Sequence, residues 1–166
     1  MRDASTIVHH EHVSTRPFAE VIAAFENAVG SVEEEGFAKA IAAARDLADF
    51  RARAESYAGD SGFMRFLTVN HGGWLAHYGI AAKARMYTIG NPLIAHTMIQ
   101  HDLRASLNVP VRLMIYEDAV SGTVRLAYDL PSSLMSRLHN EDVKAAAKKL
   151  DAKLEALAER VTGAAA

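Results

Sequence analysis

The sequence predicts an α+β fold, with antiparallel strands on one side and helices packed against one face of the sheet. Three observations carry this reading. Residues 111–116 and 124–128 alternate apolar and polar side chains, the period of half-buried strands, and a short turn joins them. Residues 18–29 and 143–161 instead repeat apolar residues every three to four positions, the stripe of an amphipathic helix. Between the strands at 86–89 and 111–116, Gly90-Asn91-Pro92 is a helix-start signal. Asn accepts a hydrogen bond from a free first-turn amide, and Pro has no amide to leave unpaired there. The expected order is β-α-α-β-β-β-α-β-β-α, with about five to six strands in one domain spanning residues 1–166.

Residues 6–15 read as a strand in which Val8, His10 and His12 share one face and Ile7, His9, Glu11 and Val13 the other. Pro17 opens a helix carried by Phe18, Val21, Ile22, Phe25 and Val29, and Gly30 ends it. A second, longer helix is expected over 31–57, with Ser31 as cap and Glu33, Glu34 and Glu35 in its first turn. Gly59-Asp60-Ser61-Gly62 breaks the chain. A strand over 63–70, a His71-Gly72-Gly73 turn and a short strand over 74–78 follow, then a strand rising to Ile89. The Asn91-Pro92 helix runs to about residue 101, and Pro110, lacking a backbone donor, stands at a strand start. Asn140 caps the last helix, whose stripe is Val143, Ala147, Leu150, Leu154, Leu157 and Val161, opposite Lys144, Lys148, Glu155 and Glu159. At about three heptads the stripe suits packing across the sheet better than a coiled coil.

Together, Gly90-Asn91-Pro92-Leu93-Ile94-Ala95-His96, Asn108-Val109-Pro110-Val111, Ile115-Tyr116-Glu117-Asp118 and Asp129-Leu130-Pro131 resemble the domain of unknown function 302 family. The resemblance covers residues 6 to 160 and is sharpest between 86 and 131. It implies a TATA-box-binding-protein-like arrangement, a curved antiparallel sheet with helices on one face, and members that pair as homodimers. It implies no activity. Many members carry cysteines where this chain has Gly90 and Val111, so a thiol role does not transfer.

Composition narrows the function classes. The net charge of −2 lacks the basic surface that phosphate binding needs, so no nucleic-acid partner is expected. With no cysteine there is no disulfide, thiolate nucleophile or cysteine metal site. No apolar run is long enough to span a membrane and the first residues lack a signal-peptide core, so a cytoplasmic location is expected.

The reading preferred on these grounds is a homodimeric module that binds a small apolar or aromatic ligand between sheet and helices. Its candidate ligand-binding residues are His71, Trp74, Tyr78, Asn91, His96, Tyr116 and Tyr128. Gly72 and Gly73 allow close backbone approach, and Trp74 offers a stacking face. One alternative is an enzyme using His71 or His96 as general base, oriented by Asp118 or Asp129, although no nucleophile elbow, phosphate loop or zinc-protease signature is present. His96 otherwise reads as a buried, hydrogen-bonded histidine. Another alternative is haem or metal binding through His71, His77, His96 or His101 with Met98. His10 and His12 have strand spacing suited to a metal, but a site needs a third ligand, so none is assigned. No cofactor is named.

Overall fold

The computed structural model describes residues 5–33 and 36–163. Its frame is one open six-stranded sheet in the order β1-β6-β5-β4-β3-β2. The strands are β1 (His9–Ser14), β2 (Gly30–Ser31), β3 (Met64–Asn70), β4 (Ala84–Gly90), β5 (Val111–Glu117) and β6 (Val124–Asp129). All neighbours pair antiparallel except β2 with β3, which is parallel.

The alternation seen in the sequence sorts the two faces. Val111, Leu113 and Ile115 of β5 and Val124, Leu126 and Tyr128 of β6 are buried against the helices. Register carries this face across to Tyr87 and Ile89 of β4. Helix α1 (Phe18–Ala28) lays Val21, Ile22 and Phe25 on it, and the Phe25 and Tyr87 rings lie 4.5 Å apart. Helix α7 (Glu141–Thr162) adds Val143, Ala147, Leu150, Leu154, Leu157 and Val161, each at most 4% exposed, so the whole predicted stripe faces the core. Its cap is the expected one, since the Asn140 side chain accepts from the amides of Asp142 and Val143. One acidic side chain, Glu26 of α1, ties the helix layer to the sheet. It accepts the Tyr87 hydroxyl at 2.8 Å and pairs with Arg65 and Arg85 at 3.1 Å each. Burial first, then the bond to Glu26, pushes the Tyr87 hydroxyl well above the ordinary tyrosine range.

Two predicted elements are corrected. The single helix over 31–57 is instead β2, α2 (Phe37–Ala42) and α3 (Leu47–Tyr57). Ser31 is no cap; it pairs with Arg65 in the sheet. The local cap is Asp46, whose side chain accepts from the Asp49 amide at 2.8 Å and starts α3 afresh. Glu33 is not in a helix: it accepts the Thr68 hydroxyl and lies 3.7 Å from Arg65, while Glu34 and Glu35 fall outside the described residues. The strand expected over 74–78 is helix α4 (His71–Leu75) followed by a 3-10 turn, Ala76–Tyr78. Here Asn70 accepts from the Gly73 amide at 3.0 Å, so the chain winds up directly out of β3. Gly72 leaves room for the Ala82 carbonyl oxygen, which a Cβ would meet at 2.2 Å. That close approach is between two pieces of this backbone, not between backbone and ligand.

The remaining predicted elements form. Helix α5 (Pro92–Ile99) begins at the Asn91-Pro92 signal, and Asp118 caps the β5–β6 turn through the amides of Val120 and Ser121. Helix α6 (Pro131–Leu134) follows the Asp129-Leu130-Pro131 exit. Among the described residues, no helix is long and apolar enough to cross a membrane.

Candidate functional site

An apolar pocket opens where α5 leaves the sheet. The chain turns out of β4 at Gly90, and Asn91 holds the turn from both sides. Its side-chain oxygen accepts from the Leu93 amide at 2.8 Å, and its amide donates to the Gly62 carbonyl at 2.9 Å. Beside this turn lies a cavity of about 190 Å³, walled by Phe37, Phe66, Ile89, Ala95, Pro110 and Leu150. Phe37 meets Phe66 and Tyr57 edge-on, with ring centres 5.7 and 5.2 Å away, so one wall is an aromatic cluster. The lining is nearly all carbon, and the nearest polar side chain, Asn91, already uses both its amide groups in the turn. Such a site selects by shape and apolar surface rather than by hydrogen bonds.

The residues singled out in the sequence do not converge on this pocket. Asn91 alone lines it. His71, Trp74 and Tyr78 form an aromatic row on α4 and the turn after it. The Trp74 indole donates to His71 Nδ1 at 3.2 Å, and Trp74 and Tyr78 are 48% and 77% exposed. His96 is exposed rather than buried, on a shallow groove between α5 and α3 with Phe50 and Arg51. It lies where α5 turns away from the core, so the buried, hydrogen-bonded setting expected for it is corrected. Tyr116 points to the face of the sheet away from the main helices and donates to Glu11 at 2.6 Å. That bond, the largest influence, raises its hydroxyl above the ordinary range.

The base–carboxylate pairs of the enzyme reading do not form. Asp118 is engaged in its turn, and Asp129 pairs with His9 at 2.8 Å. Nor do the histidines of the haem or metal alternative gather, since Met98 is fully buried in the core while His71 and His96 lie on the surface.

Tyr128 sits in a different constellation. Register pairs it with His10 across β1 and β6, and His12 follows on the same face. From the helix layer, Glu155 of α7 reaches down to all three. Its Oε2 lies 3.1 Å from His10 Nδ1 and accepts the Tyr128 hydroxyl at 3.0 Å, while its Oε1 lies 3.6 Å from His12 Nε2. The His12 and Tyr128 rings stack 5.9 Å apart and 8° from parallel. Burial works to raise the Glu155 carboxyl, but the hydrogen bonds from Tyr128 and His10 and the neighbouring histidine charge outweigh it and hold the group below its ordinary range. Burial, then Glu155, pushes the Tyr128 hydroxyl far upward, so it stays protonated and donates. In the sequence Glu155 belongs to the polar side of α7. The available signal was its place beside Leu154 and one turn after Asp151, which accepts from the Ser132 amide.

Comparison with known proteins agrees with this fold. A family model described as "Domain of unknown function DUF302" matches residues 37–161. A solved structure, the uncharacterized conserved protein DUF302 from Bacillus stearothermophilus, superposes with a TM-score of 0.65 at 16% sequence identity, covering 92% of this chain and 97% of that one. At that identity the likeness speaks for the fold alone. The search of curated proteins returned no match. With the family model spanning most of the chain, and its Asn-Pro helix start and Asp-Leu-Pro exit in place in the structure, the chain belongs to the DUF302 family.

Proposed function

We propose that the chain is a binding module whose pocket beside Asn91 takes a small apolar ligand about the size of one aromatic ring. The observation that carries this reading is the carbon-lined cavity of about 190 Å³ between the sheet and the start of α5. An apolar protein cavity of about 150 Å³ is enough to hold benzene, so the volume suits a single ring with a short substituent. Phe37 and Phe66 supply the edge and face contacts that a ring prefers.

Toluene and indole serve as probes. Each is expected to shift the amide resonances of residues 90–95 and 109–111 in a titration followed by NMR, and to raise the melting temperature. Ala95→Phe fills the cavity from α5 and abolishes both responses without unfolding the chain. Shifts that are absent, or that survive Ala95→Phe, would sink the proposal.

We also infer that two copies associate, as the family resemblance implies. The sheet face opposite the main helices runs Val69, Met86, Met114 and Ala127 across its strands, flanked by Arg112 and Glu11 of opposite charge. A two-fold axis through such a row sets like apolar groups together and brings unlike charges towards each other. Sedimentation equilibrium should then give twice the 18.0 kDa chain mass. Met114→Glu should return the chain to one copy. A monomer at tens of micromolar rejects the pairing.

A further inference from the structure

We propose that His10, His12 and Glu155 form a binding site for a divalent transition-metal ion of the zinc class, with one coordination position left open to water or another exchangeable donor. The site stands apart from the apolar pocket and does not depend on it. Among the described residues, this is the group of histidine and carboxylate side chains placed to share a cation, with one donor atom from each within 4.8 Å of the others. Zinc bonds of about 2.0–2.2 Å set tetrahedral donor atoms about 3.3–3.5 Å apart. Here the two carboxylate oxygens each face one imidazole, Oε2 at 3.1 Å from His10 Nδ1 and Oε1 at 3.6 Å from His12 Nε2, distances on either side of that spacing. Two imidazoles and one carboxylate are a donor set that zinc takes when it keeps an open position.

The surroundings suit a cation. The Tyr128 hydroxyl donates to Glu155 and lies 3.4 Å from His12, the place of a partner that orients a ligating carboxylate. Asp151 and Glu159 stand one turn to either side on α7 and add negative potential around the cluster. The His12 side chain is 11% exposed, while those of His10 and Glu155 are 36% and 38% exposed, so the cluster is shielded on one flank and reachable from solvent on the other. Both supporting elements are regular. Strand β1 is paired along its length with β6, and its far end is pinned to α7 where Ser14 donates to the Thr162 carbonyl at 2.6 Å. Ligands on a strand and a helix held this way keep their spacing better than ligands on loops.

The test is calorimetric titration of zinc chloride into the full chain after chelator treatment. One equivalent per chain is expected. His12→Ala and Glu155→Gln should each weaken binding by more than the roughly 10- to 100-fold that loss of an outer-shell partner costs, and Tyr128→Phe should fall within that range. His71→Ala and His96→Ala should leave it unchanged. Glu155→Gln keeps an acceptor for Tyr128, so its fold is preserved, and zinc should raise the melting temperature of the parent but not of this variant. On the unaltered chain, zinc should shift the imidazole resonances of His10 and His12 in NMR, a readout independent of any variant's folding. No uptake at micromolar zinc, uptake indifferent to His12 and Glu155, or shifts centred on other histidines would overturn the assignment.

Discussion

Gly30→Ala is expected to cost more than about 4 kcal/mol, the range reserved for a few severe mechanisms. A Cβ at residue 30 would lie 1.8 Å from the Tyr57 carbonyl oxygen and 2.9 Å from the Gly59 amide nitrogen. Both are backbone atoms, so no side chain can swing aside to relieve the contact. Two segments cross here. The amides of Gly30 and Gly59 both donate to the Phe63 carbonyl at 2.9 Å, and the Ser61 amide donates to the Ala28 carbonyl. Pushing the segments apart breaks that set and the β2–β3 pairing with it. Gly30 has an ordinary negative-φ backbone. At such a position Gly→Ala normally stabilises by about 0.4–1 kcal/mol through the unfolded chain. The two arguments therefore predict opposite signs, and urea unfolding decides between them. A variant as stable as the parent would refute the crossing described here.

Asn91→Ala is expected to lower stability by about 2–4 kcal/mol. Loss of the helix cap costs roughly 1 kcal/mol. Leaving the Gly62 carbonyl without its donor in a nearly closed turn adds about 1–3 kcal/mol. Asn91 is 8% exposed, so water replaces neither bond well. Asn91→Asp separates the two parts. It keeps the acceptor for the Leu93 amide but loses the donor to Gly62, and sets a carboxylate against a carbonyl. It should recover only the cap's share. Denaturant midpoints for the two variants check this: an Asn91→Asp variant as stable as the parent would mean that the clamp on Gly62 contributes nothing, and equal losses in the two variants would mean the same of the cap. The result also bears on function. Asn91 shapes the pocket mouth but presents no free amide to a ligand, which is why the probes proposed above are apolar.

The parts legible in the sequence are those with local causes. Asn91 and Asn140 cap the helices that follow them because each bonds amides two or three residues onward. The stripe from Val143 to Val161 and the alternation from Val111 to Tyr128 name their buried faces because helix and strand periods are short. The helix expected over 31–57 failed for the same reason turned around. Its composition favours helix, but Gly30 and Ser31 are held by Phe63 and Met64–Arg65, more than thirty residues away, and that pairing leaves no signature at Ser31. At His71-Gly72-Gly73 the glycines were visible, while the neighbour that requires Gly72, the Ala82 carbonyl, was not.

The candidate sites divide in the same way. The sequence by itself determined the Asn91-Pro92 turn, the shared face of His10 and His12, and the burial of Tyr128, since each follows from periods of two to four residues. Only the tertiary structure decided that Phe37, Ala95 and Leu150 enclose one cavity, and that Glu155 descends onto two histidines 145 and 143 residues before it. The physical reason is that a pocket or a ligand set is defined by which faces of distant elements meet. That meeting is settled by packing of the whole core, where Leu154 and Leu157 must be buried and Glu155 is carried with them to the rim of the sheet.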